Sequence, residues 1–333
     1  MLVYILRRLA NVVVMLLVIS IVTFAIFFMV PKISGTDPVM LYVGKNASPQ
    51  AIEGLRVKLG FNHSVPDQYW LYLKGIFAGR DYNNGPDVTH CAAPCLGYSF
   101  ANEQPVWPTL INAVPVTGSL ALGAAVIWLL FGTATGVVSA LRRRSIFDRI
   151  SMVTALAGVS LPIYFTGLVA SAIFIYDLGW LPSGQYVSFT DNPAQWAEFL
   201  LLPWITLAFL YAATYARLTR ATMLEVMGED YIRTARAKGL SERMVIFKHA
   251  MRSTMTPILT VFGLDLGALF GGAILTEKTF NLRGLGYEAL EGISTNDVPT
   301  IMGVTLFAAF FIVMANLVVD LLYAVVDPRV RLG

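Results

Sequence analysis

Five long stretches of this chain contain no Asp, Glu, Lys or Arg. A helix that crosses a bilayer needs about 20 consecutive, mostly apolar residues, and each stretch approaches or exceeds that length. A sixth apolar stretch, residues 257–276, is interrupted only by Asp265. The strands of a membrane barrel would alternate in polarity, and these stretches do not. The five uncharged stretches are residues 9–31, 104–141, 150–176, 199–216 and 298–319.

The amino-acid composition agrees with a chain that lies largely in a membrane. Apolar residues make up 56% of the 333 residues and charged residues only 14%, whereas soluble domains carry about 25% charged residues. A soluble core stops growing near this chain length and cannot bury so much apolar surface, which excludes a soluble enzyme. We therefore predict an all-α integral membrane protein with six transmembrane helices. These helices are expected at residues 12–30, 116–140, 150–176, 201–218, 257–276 and 301–326.

Lys and Arg are concentrated in alternate loops between these helices. The amino terminus, residues 141–149, residues 217–256 and the carboxyl-terminal tail together hold 16 of the 24 Lys and Arg residues. The positive-inside rule therefore predicts that these segments, and hence both termini, are cytoplasmic. The net charge of +3 is explained by this topology, and no feature indicates a nucleic-acid partner. The predicted parts are an N-terminal transmembrane helix at 1–30, an external segment at 31–108, a five-helix core at 109–326 and a cytoplasmic tail at 327–333.

The predicted external segment contains two helical patterns and the two cysteines of the chain. Residues 48–59 and 66–77 each have a proline at or near a favourable helix start. Cys91 and Cys95 lie in the same segment, and disulfides persist outside the cytoplasm. We predict a disulfide between them, which would close a small ring worth about 2 kcal/mol. The alternatives are two free thiols, or a metal site that would include His90 but needs further ligands.

No catalytic machinery is recognisable in the sequence. It contains no GxxxxGK[ST] loop, so it cannot bind ATP as P-loop proteins do. The three histidines, His63, His90 and His249, are widely separated and belong to no HExxH motif or triad order. We therefore expect a transport subunit and not an enzyme, whose function comes from a pathway through the helices or from partners bound to its loops.

The loop at residues 217–256 is too long for a hairpin turn and contains its own helical pattern. Asp230 is expected to cap a helix over residues 231–238, and Gly239 to supply the left-handed residue that ends it. Such a helix spans about 12 Å and is unstable alone in water, so it must dock against something.

Two docking partners fit this short helix. Thr234, Ala235 and Ala237 keep part of its surface small, which would let a groove in another protein approach closely. The alternative is a helix that lies on anionic lipid through its Arg and Lys side chains.

The segment DYIRTARAKGL at 230–240, followed by HAMR at 249–252, resembles the coupling loop of ABC importer permeases of the dipeptide/oligopeptide class. The general importer loop reads EAA-x3-G-x9-I-x-L-P. Ala235 and Gly239 match its second Ala and its Gly. Arg233 replaces its Glu, and other residues replace its Ile, Leu and Pro. These departures are themselves typical of the peptide class.

The resemblance covers nearly the whole chain and departs from the family pattern at two places. Arg283 stands where proline is usual, and residues 85–96, which include both cysteines, look inserted. The other segments that resemble the family are residues 5–8, 55–69, 105–120, 267–280 and 320–329.

The resemblance implies a type I ABC importer permease fold and a subunit of an ATP-driven peptide importer in a bacterial inner membrane. It further implies a second, similar permease subunit, two ATPase subunits that bind ATP and Mg, and an external peptide-binding protein. No cofactor is expected in this chain itself. The residues that the resemblance assigns to ATPase coupling are Asp230, Tyr231, Thr234, Ala235, Lys238 and Gly239.

Asp265 lies in the middle of the fifth predicted helix, and an acid inside a membrane indicates a functional site by default. We expect it to line the pathway and meet a peptide's amino terminus, to pair with Arg217 or Arg220, or to stay protonated within the packing. Glu277, near the exit of the same helix, is the second expected pathway residue. The alternative function is an ion-coupled secondary transporter or a channel without ATPase subunits, although no internal repeat supports it.

Overall fold

The computed structural model describes residues 2–33, 35, 37–41, 48–59, 61–83, 88–99, 101–182 and 185–326. Within these residues, five helices are long and apolar enough to cross a membrane, and a bent helix pair brings the number to six. The predicted helical membrane protein is therefore confirmed, while the predicted tail at 327–333 lies outside the described residues. The chain divides into two compact units, the first formed by Met1–Thr117, Phe270–Ile274 and Arg283–Met314, and the second by Gly118–Leu269, Leu275–Leu282 and Ala315–Gly333.

The described part of the chain is mostly helical, and its four short strands all lie within residues 80–105. The strands are β1 (Arg80–Asn83), β2 (Val88–Cys91), β3 (Tyr98–Ser99) and β4 (Gln104–Pro105). The helices are α1 (Leu2–Phe24), α2 (Pro49–Leu59), α3 (Val65–Ala78), α4 (Val106–Leu141), α5 (Ile146–Ser160), α6 (Ile163–Asp177), α7 (Pro193–Val226), α8 (Asp230–Ala237), α9 (Glu242–Phe270), α10 (Ile274–Thr279), α11 (Leu285–Thr295) and α12 (Val298–Val326).

Helix α1 opens the first unit and continues through a π-helical turn, Ala25–Met29. It begins well before the helix predicted at 12–30, because Arg7 and Arg8 end the apolar stretch without ending the helix. Helices α2 and α3 are the two helices expected in the external segment. The hydroxyls of Ser20 and Tyr69 lie 2.8 Å apart, which holds α3 against α1.

After α3, the described part of the predicted external segment forms short strands. Strand β1 pairs antiparallel with β2, and β3 pairs antiparallel with β4. The structure adds these two short hairpins to the predicted helical fold. Strands of two to four residues are too short to show an alternating pattern that a sequence reading could detect.

Helix α4 begins earlier than the helix predicted at 116–140 and takes in the end of the predicted external segment. Pro108 lies in its first turn, where a missing backbone N–H costs nothing. Pro115 lies inside the helix, although proline usually marks a helix boundary. The two prolines therefore explain the misplaced start.

A buried carboxylate fastens the predicted external segment to the start of α12. The side chain of Asp297 accepts hydrogen bonds from the hydroxyls of Ser99 and Thr300, each at 2.6 Å. Asp297 is buried, so these bonds satisfy a charge that would otherwise be costly to bury. The apolar residues packed in the same unit include Leu96, Val106, Leu110, Ala113, Leu285 and Val304.

The third predicted helix, at 150–176, is broken in the second unit. Helices α5 and α6 meet at a bend of 101°. Leu161 is extended (φ −86°, ψ 128°) because the residue before a proline is disfavoured in the helical conformation, and Pro162 offers no N–H to continue the ladder. The last turns of α6, Ala172–Asp177, are π-helical.

Helix α7 runs closely past the second half of α4. A Cβ atom on Gly136 would lie 2.6 Å from the carbonyl oxygen of Ala216, and one on Gly132 would lie 2.8 Å from the Cβ of Tyr215. Only glycine permits this approach, which is the usual role of a small-xxx-small spacing between membrane helices. Nearer the start of α4, the indole of Trp204 on α7 packs directly over Gly123.

The fifth predicted helix, at 257–276, ends earlier in the structure. Helix α9 stops at Phe270, and α10 begins as a separate helix after a short break. Gly272 has a φ of 116°, a conformation that a side chain would strain, and its backbone passes close to Gly286. The apolar composition alone does not reveal this break.

Candidate functional site

Helix α8 is fastened to its own chain by one apolar face. Ile232 is fully buried and Ala235 is 7% exposed. They pack in one cluster with residues from the end of α7 and the start of α9, which flank α8 in sequence. This burial supplies the docking that a helix of 8 residues needs in order to be stable. The cluster, called the α8 anchor below, consists of Ala140, Met223, Val226, Ile232, Ala235, Val245 and Ala250.

The prediction that Ala235 forms part of a surface for another protein is wrong, because its side chain packs inside the α8 anchor. Ile232 and Ala235 are three residues apart and therefore share one side of the helix. Thr234 and Ala237, the other small residues, point away from the anchor and are exposed. The exposed face of α8 consists of Asp230, Tyr231, Arg233, Thr234, Arg236, Ala237 and Lys238.

Gly239 ends α8 in the left-handed conformation that the sequence predicts, with a φ of 78°. Its N–H donates to the carbonyl of Arg236 at 2.9 Å, and the N–H of Leu240 donates to that of Ala235 at 3.3 Å. This pair of bonds is the Schellman motif. Leu240 then packs against the α8 anchor, so the turn also returns the chain to the apolar cluster.

The start of α8 differs from the prediction. Glu229, and not Asp230, occupies the N-cap position, and its side chain makes no capping hydrogen bond. Asp230 is the first helical residue and accepts a hydrogen bond from the guanidinium of Arg233 at 3.3 Å. Both acids still lie where the positive end of the helix dipole favours negative charge.

Two polar contacts join α8 to the first part of α9. The hydroxyl of Tyr231 donates to Ser253 Oγ at 2.9 Å. The guanidinium of Arg236 donates to both carboxylate oxygens of Glu242, at 2.7 and 3.3 Å. Exposed ion pairs contribute only about 0–1 kcal/mol, so they fix the orientation of α8 more than its stability. With the α8 anchor, these contacts attach α8 to the adjoining ends of α7 and α9.

A second contact in this region ties the loop between α4 and α5 to α7. The guanidinium of Arg220 donates to both oxygens of Asp148, at 2.6 and 2.9 Å. The same carboxylate accepts the backbone N–H of Arg144 at 2.9 Å. Asp148 is 4% exposed, so this bidentate pair is the strong kind of ion pair. We call it the loop clasp; sequence reading missed it because the partners are far apart in the chain.

Asp265 contacts an aromatic cluster within the second unit. The hydroxyl of Tyr215 donates to Asp265 Oδ2 at 2.8 Å. Tyr215 also packs beside Trp128, whose indole is fully buried and stacks on Tyr211 with ring centroids 4.6 Å apart. The alternative in which Asp265 pairs with Arg220 is wrong, because Arg220 binds Asp148 in the loop clasp. Asp265 is only partly buried.

Glu277, unlike Asp265, has no exposed surface. It lies in α10 and is fully buried, and its backbone carbonyl accepts the N–H of Leu282 at 2.8 Å. A carboxylate with no exposed surface cannot contact a solute in this conformation. The structure therefore does not support the pathway role predicted for Glu277.

Cys91 and Cys95 are joined in the structure, with their sulfur atoms 2.01 Å apart. The disulfide packs with Tyr82 and Tyr98, whose rings lie 5.5 Å apart. The imidazole of His90 lies 2.5 Å from Asp81 Oδ1, on the neighbouring strand. The free-thiol and metal-site alternatives therefore do not describe this structure.

Comparison with known proteins places this arrangement in context. Residues 132–332 match the family described as the inner membrane component of binding-protein-dependent transport systems, and residues 1–121 match its N-terminal part. The chain is 40% identical to a permease ascribed to a peptide transport system of Brucella abortus (strain 2308), over 98% of both chains. It is 37% identical to the dipeptide transport system permease protein of Alkalihalophilus pseudofirmus, over 99% of this chain and 100% of the relative. It is 35% identical to the glutathione transport system permease protein of Escherichia coli (strain K12), over 99% of both chains.

Breaking the loop clasp should release the loop between α4 and α5. Asp148→Asn removes the charge that matches Arg220, and because Arg220 is 24% exposed we expect a stability loss of about 2 kcal/mol, below the 3–5 kcal/mol of a fully buried pair. Trypsin should then cleave the exposed sites at Arg142 and Arg143 faster in the purified protein. Arg220→Gln should act similarly, and the double variant should add little to either. Arg149→Gln is the control, and cleavage of Asp148→Asn at the unmodified rate would contradict the clasp.

Proposed function

Because this chain belongs to the family of inner membrane components of binding-protein-dependent transport systems, we propose that it forms the membrane pathway of an ATP-driven importer for short peptides. The relatives named above serve peptide, dipeptide and glutathione transport, and a short peptide is the substrate class common to them. Dependence on a binding protein does not fit the alternative of an ion-coupled transporter or a channel that acts alone. The chain is the transport component and not a catalyst.

Membership in this family implies ATPase and binding-protein partners. In the proposed assembly, this chain pairs with a second, similar permease subunit, and each permease docks one ATPase on its cytoplasmic side. The ATPases bind ATP and Mg, for which this chain has no P-loop. An external binding protein delivers the peptide.

The observation that carries the proposal is the two-sided character of α8. One side is buried in the α8 anchor and the opposite side is an exposed surface of short and charged side chains. Such a helix can take a partner on its exposed face and pass the displacement to the ends of α7 and α9. The docked ATPases supply the required differential interaction, because they are together in one state and apart in the other.

Helix α7 extends this coupling into the membrane. Met223 belongs to the α8 anchor, and Tyr215, which bonds Asp265, lies 8 residues earlier on the same helix. That separation corresponds to about 12 Å along a continuous helix. A displacement of α8 therefore reaches the aromatic cluster around Asp265 through a single rigid element.

The exposed face of α8 should be the joint to the ATPase. Thr234→Arg places a bulky charge there without harming the helix, because Arg is a better helix former than Thr. Burying this unmatched charge in a docked interface costs about 3–5 kcal/mol, so ATPase retention during purification should fall at least tenfold. Peptide uptake should fall with it, while the amount of the permease in the membrane stays normal.

Thr295→Arg provides a matched control for this experiment. Thr234 and Thr295 are both exposed, and each hydroxyl donates to the carbonyl four residues earlier at 2.9 Å. Only the variant in α8 should lose the ATPase. Full retention of the ATPase by Thr234→Arg would show that α8 is not the joint.

We further place both termini and the loop at 217–256 in the cytoplasm, and the disulfide outside. In spheroplasts, a membrane-impermeant maleimide should label Asp191→Cys, and should label Ser241→Cys only after the membrane is opened. Both positions are exposed in the structure, so access depends on the side of the membrane. Cys91 and Cys95 should stay unlabelled until they are reduced. The opposite pattern of labelling would reverse the topology.

Asp265 is proposed to line the peptide pathway as an ionised group. Asp265 is partly buried, none of its described contacts is with a cationic side chain, and the hydroxyl of Tyr215 donates to Oδ2. An acid inside a membrane is energetically costly to keep, so its presence there by default indicates a functional site.

The substitution Asp265→Asn tests the charge alone, because the amide oxygen still accepts the hydrogen bond from Tyr215. Losing a charge-assisted contact with a peptide ammonium should reduce uptake about tenfold, with the ATPase still bound. Tyr215→Phe removes the hydrogen bond and keeps the charge, so it should reduce uptake less. Normal uptake by Asp265→Asn would indicate a neutral carboxyl that serves only in packing.

A further inference from the structure

A cavity of about 350 Å³ lies between the last turns of α6, the first turns of α7 and the turn that follows α10. Every residue that lines it belongs to the second unit. Its volume falls in the range of about 300–1,000 Å³ that is usual for small-molecule sites. Part of its wall is the π-helical segment Ala172–Asp177, and π-helical turns are frequent at functional sites. We call this cavity the Glu198 pocket.

The chemistry of the Glu198 pocket is that of a site for an ammonium group on an apolar body. Glu198 is the one charged residue among the described residues that line it. A carboxylate forms strong, charge-assisted hydrogen bonds with an ammonium group. Phe280, Ser171 and Thr279 also line the pocket; aromatic rings attract cations, and hydroxyl oxygens can accept hydrogen bonds from an ammonium group. The rest of the wall is mostly apolar and includes Leu168, Leu202 and Pro203.

The walls of the pocket are held in place before any ligand arrives. Gly167 brings α6 so close to α10 that a Cβ atom there would lie 2.9 Å from Thr279 Cγ2. Asn192 caps the start of α7 by accepting two backbone N–H groups, at 3.1 and 3.2 Å. A preformed pocket avoids most of the ordering cost of binding.

In the proposed orientation, the pocket lies at the external ends of α6 and α7, where a delivered peptide arrives. We infer that the Glu198 pocket binds the free amino group of the incoming peptide before the peptide enters the membrane pathway. The inference rests on the proposed function and names a first contact site that is separate from Asp265. Every peptide with a free amino terminus carries the ammonium group that the pocket fits.

Protection of an engineered thiol tests this inference in the complete importer, reconstituted in phosphatidylcholine nanodiscs. Ser171→Cys is nearly isosteric and places a thiol in the pocket wall. Trialanine should slow its reaction with maleimide, and N-acetyl-trialanine, which has no ammonium group, should not. Adding Glu198→Gln should raise the trialanine concentration for half protection about tenfold, the usual effect of losing one charge-assisted hydrogen bond. Asp191→Cys, outside the pocket, should react at the same rate with or without peptide.

Three outcomes would overturn the inference. Equal protection by the acetylated peptide would remove the role of the ammonium group. Protection by phosphatidylethanolamine nanodiscs without peptide would show a lipid site. A thiol that never reacts would show that another subunit covers the pocket. Uptake of trialanine by the unmodified importer distinguishes failure of the proposed function from failure of the pocket inference. Absence of uptake contradicts the proposed function. Uptake without protection of the thiol contradicts only peptide binding in the Glu198 pocket.

Discussion

Burial of Ile232 and Ala235 between the end of α7 and the start of α9 is the contact on which the position of helix α8 depends. A two-turn helix has no stability of its own in water, so its position is set entirely by what it packs against. Here both neighbours in sequence supply that packing, and the Schellman turn at Gly239 returns Leu240 to the same cluster. The proposed docking face of α8 is thereby ordered before any partner binds.

Three carboxylates away from the most exposed regions each accept a hydrogen bond from a specific side chain. Asp148 binds Arg220, Asp265 accepts from Tyr215, and Asp297 accepts from two hydroxyls. An unsatisfied charge away from water would cost several kcal/mol, so these bonds fix the elements that carry them. The carboxylates therefore join separate elements: Asp148 joins a loop to α7, Asp265 joins α9 to α7, and Asp297 joins the segment that carries β3 to α12.

The helical membrane fold follows from the uncharged stretches, and the short helix in the loop at 217–256 follows from its acids and Gly239. What sequence reading could not supply depends on contacts between distant residues. The inward direction of Ala235 requires knowing which side of α8 meets the anchor, and the pairing of Arg220 with Asp148 spans 72 residues. The hairpins near Cys91 are too short for a periodic signal, and the bend at Pro162 lies within an unbroken apolar stretch.

That bend has a mechanical consequence for the second unit. A straight membrane helix carries a displacement from one end to the other, whereas two segments at 101° to each other can change their angle instead. Helix α5 is tied to α7 through Asp148, while α6 is packed against α10 at Gly167. A change of angle at Leu161 and Pro162 would therefore let α5 follow α7 while α6 keeps its contact with α10. Because α7 carries Glu198, the α6 wall and the α7 wall of the Glu198 pocket would then shift relative to each other.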